Sequence, residues 1–119
     1  MSGIPAKVEE GTNLVLDEEE IALAEGWSSK PSGSSVDRIG ETVIVSLQVR
    51  YLAKAAALVA TLPVEYRPAA SYTTGDGKFT IATNGEVTSN ETKTELETAL
   101  VEGKYLTCHA SYRAAVQNP

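Results

Sequence analysis

Polar and apolar residues alternate most strictly over 41–51 (ETVIVSLQVRY). Val43, Val45, Leu47, Val49 and Tyr51 fall on one side, and Thr42, Ser46, Gln48 and Arg50 on the other. A period of two, rich in valine, predicts a half-buried strand. Ile44 departs from the pattern and predicts a contact on the opposite face. The run KYLTCHASYRA (104–114) alternates in the same way, with Leu106, Cys108, Ala110 and Tyr112 on one face. KFTIAT (78–83) alternates at Phe79 and Ile81 and meets Asn84-Gly85, a strong hairpin signal, with EVTS continuing beyond it.

Other stretches carry mixed signals. LAKAAALVA (52–60) is dense in alanine, which favours helix, but it runs into Pro63, which stops one. It reads as a loop leading into a strand over 58–62. Pro63 and Pro68 bracket Tyr66-Arg67 in a rigid irregular turn. Over 91–103, Leu96, Leu100 and Val101 fit one helical face, whereas Thr94, Leu96, Thr98 and Leu100 fit a strand. DEEEIALAEG (17–26) offers Asp17 as a helix cap with Glu20 three residues on and Gly26 as terminator. It also alternates at Ile21 and Leu23, and an extended or single-turn segment is the preferred reading.

Short strands between turn signals predict a mainly all-β fold, a small β-sandwich or jelly-roll-like barrel. Residues 1–12 (MSGIPAKVEEGT) have no usable period, and Trp27 directly precedes the turn-rich SSKPSGSS (28–35). The expected organisation is an extended acidic arm over 1–26 and a β body over 27–119.

Composition adds two points. The 119 residues are 42% hydrophobic but only 6% aromatic, so much of the apolar content is alanine and valine. Small side chains bury little area each, and such a chain is a candidate for burial shared between subunits. The net charge is −6, and residues 1–27 hold seven acids against one base, Lys7, so the body is neutral. A balanced body lacks the basic stripe that nucleic acid demands, and an acidic chain is not drawn to an anionic membrane. No window approaches the roughly 18 apolar residues of a membrane helix.

The residue types that chemistry needs are sparse. Cys108 is the only cysteine and His109 the only histidine, too few for a structural zinc site without several carboxylates. His109 falls on the strand face opposite the expected core, away from any nucleophile. The acids of 17–20 lack the spacing of a calcium loop. TTGDGKF (73–79) lacks the spacing, hydroxyl and helix of a phosphate loop. No enzymatic activity, cofactor or metal is expected. Trp27 and Tyr72 are the candidate platforms should the chain bind a host glycan, although strand aromatics serve more often as core.

The second half resembles a β module of bacteriophage tail, fibre and head-decoration proteins. The resemblance rests on Gly26-Trp27, the alternating strand over 43–49, TLPVEYRP (61–68), the strand 79–81 with NGEV (84–87), and the closing pair Tyr112-Arg113. Glu65 stands where the turn commonly has glycine. The resemblance implies a non-catalytic β-sandwich or barrel that forms a homotrimer. The module here is nearly the whole chain, which favours a capsid decoration or short head-fibre protein over a fibre tip. The expected place is the virion, on the capsid surface, with copies of itself and the major capsid protein as partners. Ile4, Pro5, Val8, Leu14, Val15 and Leu16 are the candidate capsid anchor. Val43, Val45, Leu47, Leu62, Pro63, Tyr66, Arg67 and Pro68 are the candidate interface or core.

Overall fold

The alternation over 41–51 becomes the longest strand of the molecule. A computed structural model describes residues 13–17, 20–30, 33–52 and 57–115. In chain order the strands are β1 (Asn13–Asp17), β2 (Ala22–Leu23), β3 (Trp27–Ser29), β4 (Ser35–Ile39), β5 (Thr42–Tyr51) and β6 (Leu58–Thr61). A 3-10 turn at Val64–Tyr66 separates these from β7 (Tyr72–Thr73), β8 (Phe79–Ile81) and β9 (Glu86–Ser89). A helix, α1 (Lys93–Glu102), precedes the last strand, β10 (Leu106–Arg113).

The strands form two antiparallel sheets, so the all-β expectation holds. The first runs β1-β4-β5-β10, with β3 also on β5; the second runs β2-β6-β9-β8-β7. Val49 pairs with Leu106 of β10 and with Ser29 of β3. Those partners must take opposite edges, so β3 and β4 lie end to end along one side of β5. Between them Ser34 replaces the ladder: its hydroxyl accepts the Gln48 N–H (2.9 Å) and meets the Ser29 hydroxyl (2.8 Å).

The predicted inward residues of β5 are all buried, and so are Cys108, Ala110 and Tyr112 of β10. They join Val59, Leu62, Phe79, Ile81 and Val87 of the second sheet in one core. The few aromatics are concentrated here: Trp27 meets Tyr51 edge to face, with ring centres 5.5 Å apart. In β6 a bulge between Leu58 and Ala60 turns both Val59 and Ala60 inward.

The boundary drawn at residue 26 is a correction. Asn13–Asp17 pairs in full with β4, from Asn13↔Ile39 to Asp17↔Ser35. Leu16 and Ile21 are buried in the core, and Ala22–Leu23 joins β6. Residues 1–12 of the expected arm lie outside the described residues. Asp17, Glu20 and Glu25 stay at the surface, and the Asp17 N–H donates to Glu20 Oε1 at 3.0 Å, one half of the capping pattern.

The two-way reading of 91–103 resolves as helix. Thr92 accepts from the Glu95 N–H while Glu95 accepts from the Thr92 N–H, a complete capping box, and Gly103 closes the helix in left-handed conformation. Leu96 and Ala99 are buried, three residues apart as a helical face requires. The C-terminal alternation and the hairpin hold as expected. Around Asn84-Gly85 the Gly85 N–H donates to Ala82 O, and Gly85 takes a φ of 90°. The connection is a three-residue loop with a bulge glycine.

Candidate functional site

TLPVEYRP is the place where distant parts of the chain meet. Pro63 starts the 3-10 turn, and Arg67 returns to extended backbone. The turn is closed from within by Arg67, whose Nε donates to the Leu62 carbonyl at 3.0 Å. The β8–β9 hairpin presses on it: the Leu62 N–H donates to Gly85 O at 2.8 Å. A Cβ on Gly85 would lie 2.4 Å from the Leu62 carbonyl oxygen and 2.8 Å from Arg67 Nε. Only glycine lets the hairpin approach this closely.

The closing strand holds the other side. Tyr112 Oη donates to the Tyr66 carbonyl at 2.6 Å in a buried setting. The Ala69 N–H donates to Arg113 O and the Ala115 N–H to Arg67 O, so residues 67–69 run beside the end of β10. From the first sheet comes Arg38, only 6% exposed. Its Nη1 donates to Glu65 O and its Nε to Gly40 O, both at 2.7 Å. A guanidinium turned inward at a strand end is satisfied by carbonyls here, as a buried cation must be.

Two of the segments quoted for the resemblance, NGEV and Tyr112-Arg113, thus meet on the TLPVEYRP turn, whereas Gly26-Trp27 packs at the far end of β5 against Tyr51. Burial pushes the Tyr66 phenol above its usual value, with Glu65, Glu20 and Asp37 adding to it. Burial likewise raises Tyr112. These are structural groups in an apolar setting. Sequence reasoning missed Arg38, although a signal existed: in SVDRI it is in phase with Val36, which is buried.

The remaining candidates are placed as follows. Val43, Val45, Leu47 and Leu62 are fully buried within one chain, and Tyr66 and Pro68 are buried beside them. They are core, and any contact between copies must use other residues. Pro63 and Arg67 are half-buried. Leu16 is buried and Leu14 packs against the core, so of the anchor candidates in β1 only Val15 faces solvent, at 55% exposure. Ile4, Pro5 and Val8 lie outside the described residues. Trp27 is 5% exposed and offers no face to a sugar. Tyr72 is half-buried, with its ring 5.8 Å from that of Tyr112.

His109 is exposed on the outer face of β10. Cys108 is buried, and burial pushes its thiol up to about 12. Within TTGDGKF, the Thr74 hydroxyl and the Lys78 N–H both donate to Asp76 Oδ1, at 2.7 and 3.0 Å. These bonds hold the Asp76 carboxyl below its usual range and shape the turn before β8. Among the described residues no group of three or more His, Cys, Asp or Glu side chains could hold a metal, and no helix is long and apolar enough to cross a membrane. No protein-family model, curated protein or solved structure matches the chain.

Proposed function

We propose that this chain is a non-catalytic structural protein of a bacteriophage virion, most specifically a capsid decoration or head-fibre protein. It assembles as a homotrimer and meets the major capsid protein through its N-terminal segment. The observation that carries the reading is the joint around TLPVEYRP. Gly85 of the hairpin and Tyr112 of the closing strand belong to the segments that suggested the phage module, and both lock onto that turn. A motif whose separate parts cooperate in space is a stronger signal than the same letters scattered over a surface.

The fold also favours a role for the first residues. β1 begins at Asn13, opposite Ile39 at one corner of the first sheet. Twelve residues precede it, and an extended chain of that length spans up to roughly 40 Å, enough to reach a neighbouring surface. Docked by three copies at once, a weak segment gains affinity through avidity.

The test is co-sedimentation with heads of the phage whose genome encodes the chain, using the full chain and a chain starting at Asn13. The full chain should pellet with heads, and the shortened chain should remain a folded oligomer in the supernatant. Equal pelleting of both would remove the N-terminal segment from the contact. Pelleting of neither would count against the capsid reading.

A further inference from the structure

Asn84 is the only asparagine followed by glycine; Asn13, Asn90 and Asn118 precede leucine, glutamate and proline. An asparagine in that position reacts with its own backbone. The glycine nitrogen, unshielded by any side chain, attacks the asparagine Cγ and closes a five-membered ring. In this fold the pair is also the tip of the hairpin that presses on TLPVEYRP. Asn84 is exposed, so water and base reach its amide, whereas Gly85 is buried against the turn.

The closed joint withholds both reacting groups. The Gly85 N–H donates to Ala82 O at 2.8 Å, which ties up the nucleophile and its proton. Asn84 Oδ1 accepts the Glu86 N–H at 3.0 Å, which fixes the side-chain amide. Gly85 O accepts the Leu62 N–H at 2.8 Å, so Gly85 is pinned through its carbonyl as well. Ring closure has to wait until the hairpin lifts from the turn.

We propose that Asn84 is a self-modification site gated by this joint, and that its modification keeps the joint from closing again. In the open state Gly85 N loses its proton to solvent base and bonds to Asn84 Cγ. The Cγ–Nδ2 bond breaks and ammonia leaves, giving a succinimide. Water then opens the ring. Cleavage at Cγ leaves aspartate, and cleavage at the backbone carbonyl leaves an isoaspartyl link that runs through Cβ and Cγ. The second product puts one extra carbon into the backbone of the three-residue loop. That loop has no room to spare, since even a Cβ on Gly85 would meet the Leu62 carbonyl at 2.4 Å. A longer backbone loses the bonds to Ala82 and Leu62 together. The inference rests on the fold alone and holds whatever surface the protein binds.

The chain contains its own comparison in Asp76-Gly77, which forms the same ring with loss of water. The Gly77 N–H donates to Thr74 O, and Asp76 Oδ1 accepts the Lys78 N–H. Nothing lies within 4 Å of a Cβ on Gly77, so this turn opens without the joint.

The test ages the full chain in warm, mildly alkaline buffer, folded and in guanidinium chloride. Beside it are Tyr112→Phe and Arg67→Met, which remove the bonds to the Tyr66 and Leu62 carbonyls. Peptide mapping by mass spectrometry reads conversion at residues 84 and 76, and circular dichroism checks folding. Conversion at residue 84 should be more than about tenfold slower in the folded chain than in denaturant, because it needs a local opening. Either variant should speed it at residue 84 and leave residue 76 unchanged. The purified isoaspartyl chain should have a lower thermal midpoint than fresh protein, whereas Asn84→Asp should stay close to it. Equal rates at residue 84 in the folded and unfolded chain overturn the gating, as does a rate that neither folded variant raises. An isoaspartyl chain that melts with the fresh protein overturns the claim that the joint stays open.

Discussion

Gly85 and Gly40 both hold left-handed backbone, with φ of 90° and 62°, yet their surroundings differ. A methyl at Gly85 would collide with the Leu62 carbonyl and Arg67, whereas nothing lies within 4 Å of one at Gly40. Gly40→Ala should therefore cost only the backbone term, about 1 kcal/mol. Gly85→Ala adds displacement of the joint and should cost about 3 kcal/mol or more. Urea midpoints of the two variants check the difference. Cys108 yields a pH dependence at the same scale. Its thiol moves from 9.0 to about 12 on folding, so between those values the unfolded chain has lost a proton that the folded chain keeps. Stability is then fully present below about pH 9 and falls as pH rises, with a slope approaching about 1.4 kcal/mol per unit. Tyr112, also raised by burial, adds to the loss at the alkaline end. Denaturant titrations from neutral to alkaline pH should show the fall, and Cys108→Ala should flatten its onset. A thiol reagent should label the native protein slowly and the unfolded chain at once.

At the scale of elements, α1 shows how a cap settles an ambiguous pattern. Leu96 and Leu100 suit either period, so hydrophobic spacing alone could not choose. The deciding residues, Thr92, Glu95 and Gly103, are polar or small and sit at the ends. Their T-x-x-E order was legible in the sequence and passed unread. Thr92→Ala should lower stability by about 1 kcal/mol, read as a lower thermal midpoint, while Thr92→Ser should be nearly neutral. The long strands β5 and β10 were legible because each has one buried face and enough residues to display a period. β1 was not, because its strand character comes from β4: pairing between distant segments leaves no local mark. Arg38 did carry a local mark, its phase with Val36, but an inward arginine makes sense only with the turn whose carbonyl it holds. The TLPVEYRP segment stood out as letters, but the contacts of Gly85 and Tyr112 with it are a property of the folded chain.

For the whole molecule, the pairing of β1 and β2 into the two sheets changes where the chain can be cut. A chain beginning at Trp27 loses β1, β2 and the buried Leu16 and Ile21; it should fail to fold cooperatively, as circular dichroism and size exclusion would show. The opposite terminus has a consequence for synthesis. β10 is the neighbour of β5, from Leu106↔Val49 to Arg113↔Thr42, so the central strand waits for partners made 57 to 71 residues later. Until β10 is made, one edge of β5 has no neighbour, because β3 and β4 lie along the other. Folding of this chain is thus slow for its size, as non-local strand pairing dictates. Before β10 is made, the open edge of this valine-rich strand is free to pair with every other copy being made, and holding such chains apart is work for a chaperone.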